Sequence, residues 1–116
     1  IKQCLVGSEM CIRDSVRCDL PPPQQAVQAC HACIEMARTL LPPGDEHPHL
    51  VLCGVRSELQ LRKVLRHLER IEVAFRTFFE PDLEGQLTAV ATEVVRGELR
   101  DSFRRYQCLR GPDEPR

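Results

Sequence analysis

The sequence predicts a single-domain α/β protein, a four-stranded mixed sheet with helices packed on it, in the order β-α-β-α-β-β-α. Three observations carry this. Strand-length apolar runs alternate with helical stripes along the chain. The 116 residues suffice for one domain and not two. The last two strands are separated by only a short turn, so they pair antiparallel beside parallel neighbours. Hydrophobic residues make up 42% and charged residues 28%, an ordinary globular balance. No apolar run approaches the ~18 residues of a membrane span. With 16 basic and 17 acidic residues the net charge is −1, so any nucleic-acid contact must come from a local patch.

Val16-Arg17-Cys18-Asp19-Leu20 reads as the end of a first strand, and Pro21-Pro22-Pro23 leads from it into a helix. Over residues 24–41 the apolar set Ala26, Cys30, Cys33, Ala37 and Leu40 forms a stripe expected to face the sheet. Gln24, Gln28, His31, Glu35 and Arg38 then occupy the opposite, polar face. Pro42-Pro43-Gly44 stops the helix. The continuous run His49-Leu50-Val51-Leu52-Cys53-Gly54-Val55 suits a strand buried on both faces. Ser57 and Gln60 form a capping box opening a helix that buries Leu61, Val64, Leu65 and Leu68. Residues 73–80 alternate as a strand, Pro81 to Gly85 turn the chain, and 86–95 form the partner strand. A short helix from Gly97 to about Arg105 buries Leu99 and Phe103, and residues 111–116 read as an unstructured tail.

The opening residues 1–15 show neither helical nor strand periodicity and no signal-peptide pattern. Cys4 to Asp14 looks like the forward translation of a transposase-type sequencing adapter; Glu9-Met10-Cys11-Ile12-Arg13-Asp14 back-translates to GAG ATG TGT ATA AGA GAC. This segment is therefore expected to lie outside a domain spanning residues 16–110, which would lack the front of its first strand. Arg13-Asp14-Ser15 should dangle or pair loosely at an edge rather than enter the core. Lys63 is the only lysine after residue 15, a bias that suggests a GC-rich bacterial source. Seven cysteines, an odd number without a signal peptide, point to reduced thiols in a cytoplasmic protein.

Cys30-His31-Ala32-Cys33 has the look of a metal or redox motif. On a helix, though, the two thiols share the apolar stripe while His31 turns about 100° away from Cys30. No second cysteine pair completes a four-ligand set, so buried thiols are the better reading and no metal or cofactor is expected. Arg100, Arg104, Arg105 and Arg110 concentrate positive charge near the C-terminus, as Arg62, Lys63 and Arg66 do on the second helix. Either a solvated face or phosphate contact explains them.

Three segments together resemble the peptidyl-tRNA hydrolase 2 family. Val16-Arg17-Cys18-Asp19-Leu20 is similar to that family's strand end. Ala26-Val27-Gln28-Ala29-Cys30-His31-Ala32 is similar to its helix motif, and Phe79-Glu80-Pro81-Asp82 before Thr88-Ala89-Val90-Ala91 to its Asp-containing loop and following strand. The resemblance implies hydrolysis of the ester joining a peptide to the 3′ ribose of tRNA, a carboxylic ester hydrolase activity without a cofactor. It makes His31, Asp82 and Gln28 the expected catalytic residues and Asp19, Gln24 and Thr88 expected substrate contacts; the clustered Arg100, Arg104 and Arg105, outside the matching segments, are compatible with the tRNA contact it implies. The implied partner is tRNA, with no membrane; a homodimer is left open. Two departures bear on activity. Gln24 stands where the family has Lys, and Glu80 to Gly85 differ from its Asp-Ala-Gly loop. A non-catalytic RNA-binding or partner-binding member on the same scaffold is the alternative.

Overall fold

A computed structural model describes residues 10–44 and 47–109. Its elements are β1 (Cys11–Arg17), α1 (Pro22–Thr39), β2 (His49–Val55), α2 (Glu58–Arg70), β3 (Phe75–Glu80) and β4 (Gln86–Thr92). Two 3-10 segments, Pro81–Leu83 and Gly97–Phe103, complete them. One mixed sheet has the order β2-β1-β4-β3. β1 runs parallel to β2 and antiparallel to β4, and β3 pairs antiparallel with β4. This is the expected α/β architecture and element order. The residues proposed as the C-terminal tail, 111–116, lie outside the described part.

Each face of the sheet carries its own core. On one side Ala29, Ala32 and Met36 of α1 pack on Ile12, Val16, Ala89 and Ala91. On the other, Leu61 and Leu68 of α2 join Val73, Leu87, Val90, Val95 and Phe103. Fully burying a leucine of this kind is worth about 1.5–3 kcal/mol. Ser57 caps α2, its hydroxyl accepting from the Gln60 amide at 3.3 Å, while Gln60 Oε1 accepts from the Arg56 amide at 2.9 Å. Gln60 reaches back one residue further than a capping box requires.

Several expectations are corrected. Residues 11–15 neither dangle nor sit at an edge; they form the front of β1, between β2 and β4, and every residue of the strand is buried. Backbone pairing does not depend on side-chain chemistry, so the strand forms although its side chains suit it poorly. Arg13 Nε and Asp14 Oδ1 are buried without a hydrogen-bond partner. Asp14 alternates with Ile12 and Val16 on the α1 side, and burial pushes its carboxyl up to about 8. Arg13 sits on the other side, its guanidinium 5.1 Å from the Phe103 ring centroid.

The second correction concerns β2, which is an outer strand with Leu50 exposed rather than one covered on both faces. Its free edge is met by the C-terminal segment. Gly54 N donates to Gln107 O at 2.9 Å and Leu109 N to Leu52 O at 2.8 Å. Among the described cysteines, Cys30, Cys33 and Cys53 are free thiols, but Cys108 is disulfide-bonded, against the expectation of reduced thiols throughout.

The third correction is the rotation of α1. Its buried residues are Gln28, Ala29, Ala32 and Met36, while Val27, Cys30, Ile34 and Ala37 face outward. Small Ala29 and Ala32 let the helix approach the sheet closely. Gln28 turns inward because the sheet supplies partners for its amide, and a polar group so satisfied is no longer costly to bury.

Candidate functional site

The site forms where the first half of α1 crosses the β3–β4 pair, and a β-bulge shapes it. Phe78 pairs with Ala89 and Phe79 with Leu87, which leaves Thr88 as the extra residue of β4. The re-aimed Thr88 hydroxyl donates to Gln28 Oε1 at 2.7 Å and lies 3.3 Å from Phe78 O. The Gln28 amide nitrogen donates to Glu80 Oε1 at 2.8 Å and to Gln24 Oε1 at 3.2 Å. Gln28 and Thr88 are completely buried. One buried amide thus links helix, bulge and strand end.

Glu80 closes β3 and caps the 3-10 turn that Pro81 begins, its Oε2 accepting from Asp82 N at 3.1 Å. Gln28's hydrogen bond, then that of Asp82 N, hold its carboxyl below the usual carboxylate range, with a smaller contribution from His31. His31, one turn after Gln28 and half-buried, stacks on Phe78 with ring centroids 4.2 Å apart and planes 6° from parallel. Among the described residues, none hydrogen-bonds either imidazole nitrogen, so both are free to meet a ligand.

The expected site residues separate into two groups. His31, Gln28, Gln24 and Thr88 are brought together. Asp82 is not: it is exposed, and the carboxylate beside Gln28 and His31 is that of Glu80, two residues earlier. The turn after Glu80 carries Asp82 outward, and sequence spacing does not register that rotation. Gln28 and Thr88 are buried, and their hydrogen bonds go to each other and to neighbouring side chains. Asp19 receives both Nε and Nη2 of Arg17, at 2.9 and 2.8 Å, which lowers its carboxyl and makes it a partner of Arg17. Arg17 Nη1 also reaches Gln86 Oε1 and Leu87 O.

Arg104 and Arg105 are exposed beside the 3-10 segment that packs with α2, on the face of the sheet opposite His31, and Arg104 pairs with Asp101 at 3.3 Å. The side chain of Arg100 lies outside the described residues. Glu80 and Phe78 were missed in the sequence. A charge ending the apolar run Phe78-Phe79 just before a proline was the available signal for Glu80. No described group of three His, Cys, Asp or Glu side chains converges enough to hold a metal ion. In the Cys30-His31-Ala32-Cys33 motif, Cys30 is exposed and Cys33 half-buried, so the two thiols do not share the buried stripe.

A second polar cluster lies across the sheet. His67 Nδ1 and Tyr106 Oη are 2.7 Å apart beside Phe103. Burial, with Arg70 and Arg105 nearby, lowers the His67 imidazole below its ordinary value.

In sequence, no family model and no curated protein matches the chain. In structure, the chain is similar to a protein of unknown function, Atu0240, from Agrobacterium tumefaciens strain C58. The TM-score is 0.63 at 11% identity, covering 88% of this chain and 98% of that one. That likeness defines the class as an α/β fold of the same architecture and extends no further.

Proposed function

We propose that the chain hydrolyses the ester joining a peptide to the 3′ ribose of tRNA, the reaction of the peptidyl-tRNA hydrolase 2 family that its motifs resemble. The observation that carries this reading is the open imidazole of His31, braced on Phe78 beside the buried Gln28–Thr88–Glu80 network. In this reaction His31 takes a proton from water as the water oxygen bonds to the ester carbonyl carbon. The carbon–oxygen ester bond then breaks, and the 3′ oxygen leaves with a proton from the imidazolium. The products are the free acid and tRNA. Such base catalysis contributes ~10²–10⁴-fold.

The test is single-turnover release of peptide from purified peptidyl-tRNA by the full chain and by His31→Ala. Loss of ~10²-fold or more in the variant is expected. Equal release by both would refute the role of His31. Losing the stack on Phe78 should cost about 0.5–1.5 kcal/mol, so the variant stays folded.

A partner-binding module on this scaffold is the second reading. Val27, Ile34 and Leu41 favour it, standing 44%, 53% and 37% exposed on the outer face of α1 and just beyond its end.

A further inference from the structure

Two thiols flank His31 on α1 and take no part in the hydrolysis. Cys30 is exposed and Cys33 half-buried, and both are free. On a regular helix a spacing of three puts β-carbons about 5–6 Å apart on one side, against about 3.5–4.5 Å in a disulfide. Tightening that single turn from α to 3-10 geometry eclipses residues i and i+3 and closes the gap. Burial, then Asp14 and Cys30, raise the Cys33 thiol, so the two sulfurs lie within each other's electrostatic reach. Asp14, buried on the same side of the sheet, has its Oδ1 without a hydrogen-bond partner. Cys108 is already disulfide-bonded, so sulfur oxidation is a chemistry this chain undergoes.

We propose that Cys30 and Cys33 are a reversible dithiol–disulfide pair, closed by a low-molecular-weight disulfide such as glutathione disulfide, and that closure draws His31 off Phe78. Exposed Cys30, as thiolate, attacks one sulfur of glutathione disulfide, whose S–S bond breaks and releases one glutathione. Cys33 then attacks the Cys30 sulfur of the mixed disulfide, and the second glutathione leaves. The two cysteine sulfurs are oxidised, glutathione disulfide is reduced, and the two thiol protons end on the two glutathiones. Ala29 and Ala32 hold the inner side of the turn on the sheet, so the tightening falls on its outer residues. Passing from about 100° to about 120° per residue turns His31 by about 20° relative to Cys30. That rotation disrupts a stack with centroids 4.2 Å apart and planes 6° from parallel. A bond strained in this way is easily reduced again, as regulatory disulfides are. The device acts on His31 whatever reaction the imidazole serves.

In the experiment the full chain is incubated with glutathione disulfide, digested without reduction and sequenced by fragmentation in a mass spectrometer, with Cys33→Ser alongside. A Cys30–Cys33 bond is expected in the unsubstituted chain, opening again in excess reduced glutathione. Cys33→Ser should stop at glutathione attached to Cys30. An unsubstituted chain that also stops there, that pairs either thiol with Cys18 instead, or whose bond does not reopen would overturn the proposal. The imidazole protons of His31, shielded by the Phe78 ring, report the second half by NMR at fixed pH. They should move downfield on oxidation and return on reduction; unchanged shifts with the bond formed would overturn the coupling to His31. Neither readout involves ester hydrolysis, so failure here leaves the esterase reading standing, and failure of that reading leaves this inference standing.

Discussion

The Thr88 hydroxyl donates to Gln28 Oε1 at 2.7 Å, joining the extra residue of a bulged strand to the one fully buried glutamine of α1. Thr88→Val removes the donor at nearly constant volume and strands a buried amide oxygen. A loss of about 1–3 kcal/mol in urea unfolding is expected, with Thr88→Ser retaining most of the stability. Unchanged stability in Thr88→Val would mean that Gln28 does not depend on this bond.

Asp14 gives a pH dependence of defined sign. Burial raises its carboxyl from 3.8 to about 8, so the folded chain holds a proton that the unfolded chain has already released. The stability it contributes is complete below the unfolded value and is lost as pH rises through 8. Asp14→Val should therefore stabilise the chain more at pH 8 than at pH 5, the gap widening by up to ~1.4 kcal/mol per pH unit. The lowered His67 imidazole acts in the opposite direction, losing stability as pH falls, but it is common to both proteins and cancels in the difference. Urea titrations at the two pH values check this; a constant gap would contradict the buried neutral carboxyl.

Gln24→Lys brings a cation to the helix turn that precedes Gln28. With the site acting as an esterase, cleavage of N-acylated esters should rise, up to ~10²-fold if the ammonium reaches the developing oxyanion. Single-turnover rates on N-acetyl-leucyl-tRNA check this. No change in rate would show that position 24 does not face the reacting ester.

Arg104 and Arg105 lie across the sheet from His31, so their effect on tRNA should be confined to affinity. Replacing both by Ala should reduce the slope of log affinity against log salt by about two, since each phosphate contact contributes close to one. Turnover of bound substrate should be unaffected. Filter binding over a salt series checks the slope. An unaltered slope would exclude both residues from phosphate contact.

The alternation of runs and stripes was enough to predict the elements and their order, because it records which stretches are buried. Three features escaped it. The front of β1 was hidden because Arg13, Asp14 and Ser15 have the wrong chemistry for a central strand, and the pairing that holds them there is made by the backbone. The face of α1 was misjudged because a glutamine ordinarily points to water, whereas Gln28 finds Thr88 and Glu80 inside. Its neighbours Val27 and Ile34 were displaced outward by the same rotation. For the site, His31 and Gln28 were legible from the helix motif. The carboxylate beside them was not, since a one-residue bulge in β4 and a 3-10 turn decide whether Glu80 or Asp82 faces the helix.

The short pairing of Gln107 and Leu109 with β2 also guards against self-association. Gly54 N and Leu52 O, on the outer border of the sheet, are both occupied by it. Without that cover, the apolar run Leu50-Val51-Leu52-Cys53 would present an open row of donors and acceptors, a template for strands of other molecules. A chain cut after Tyr106 would retain both helices and all four strands, yet expose this border to cross-molecular pairing and fibril growth.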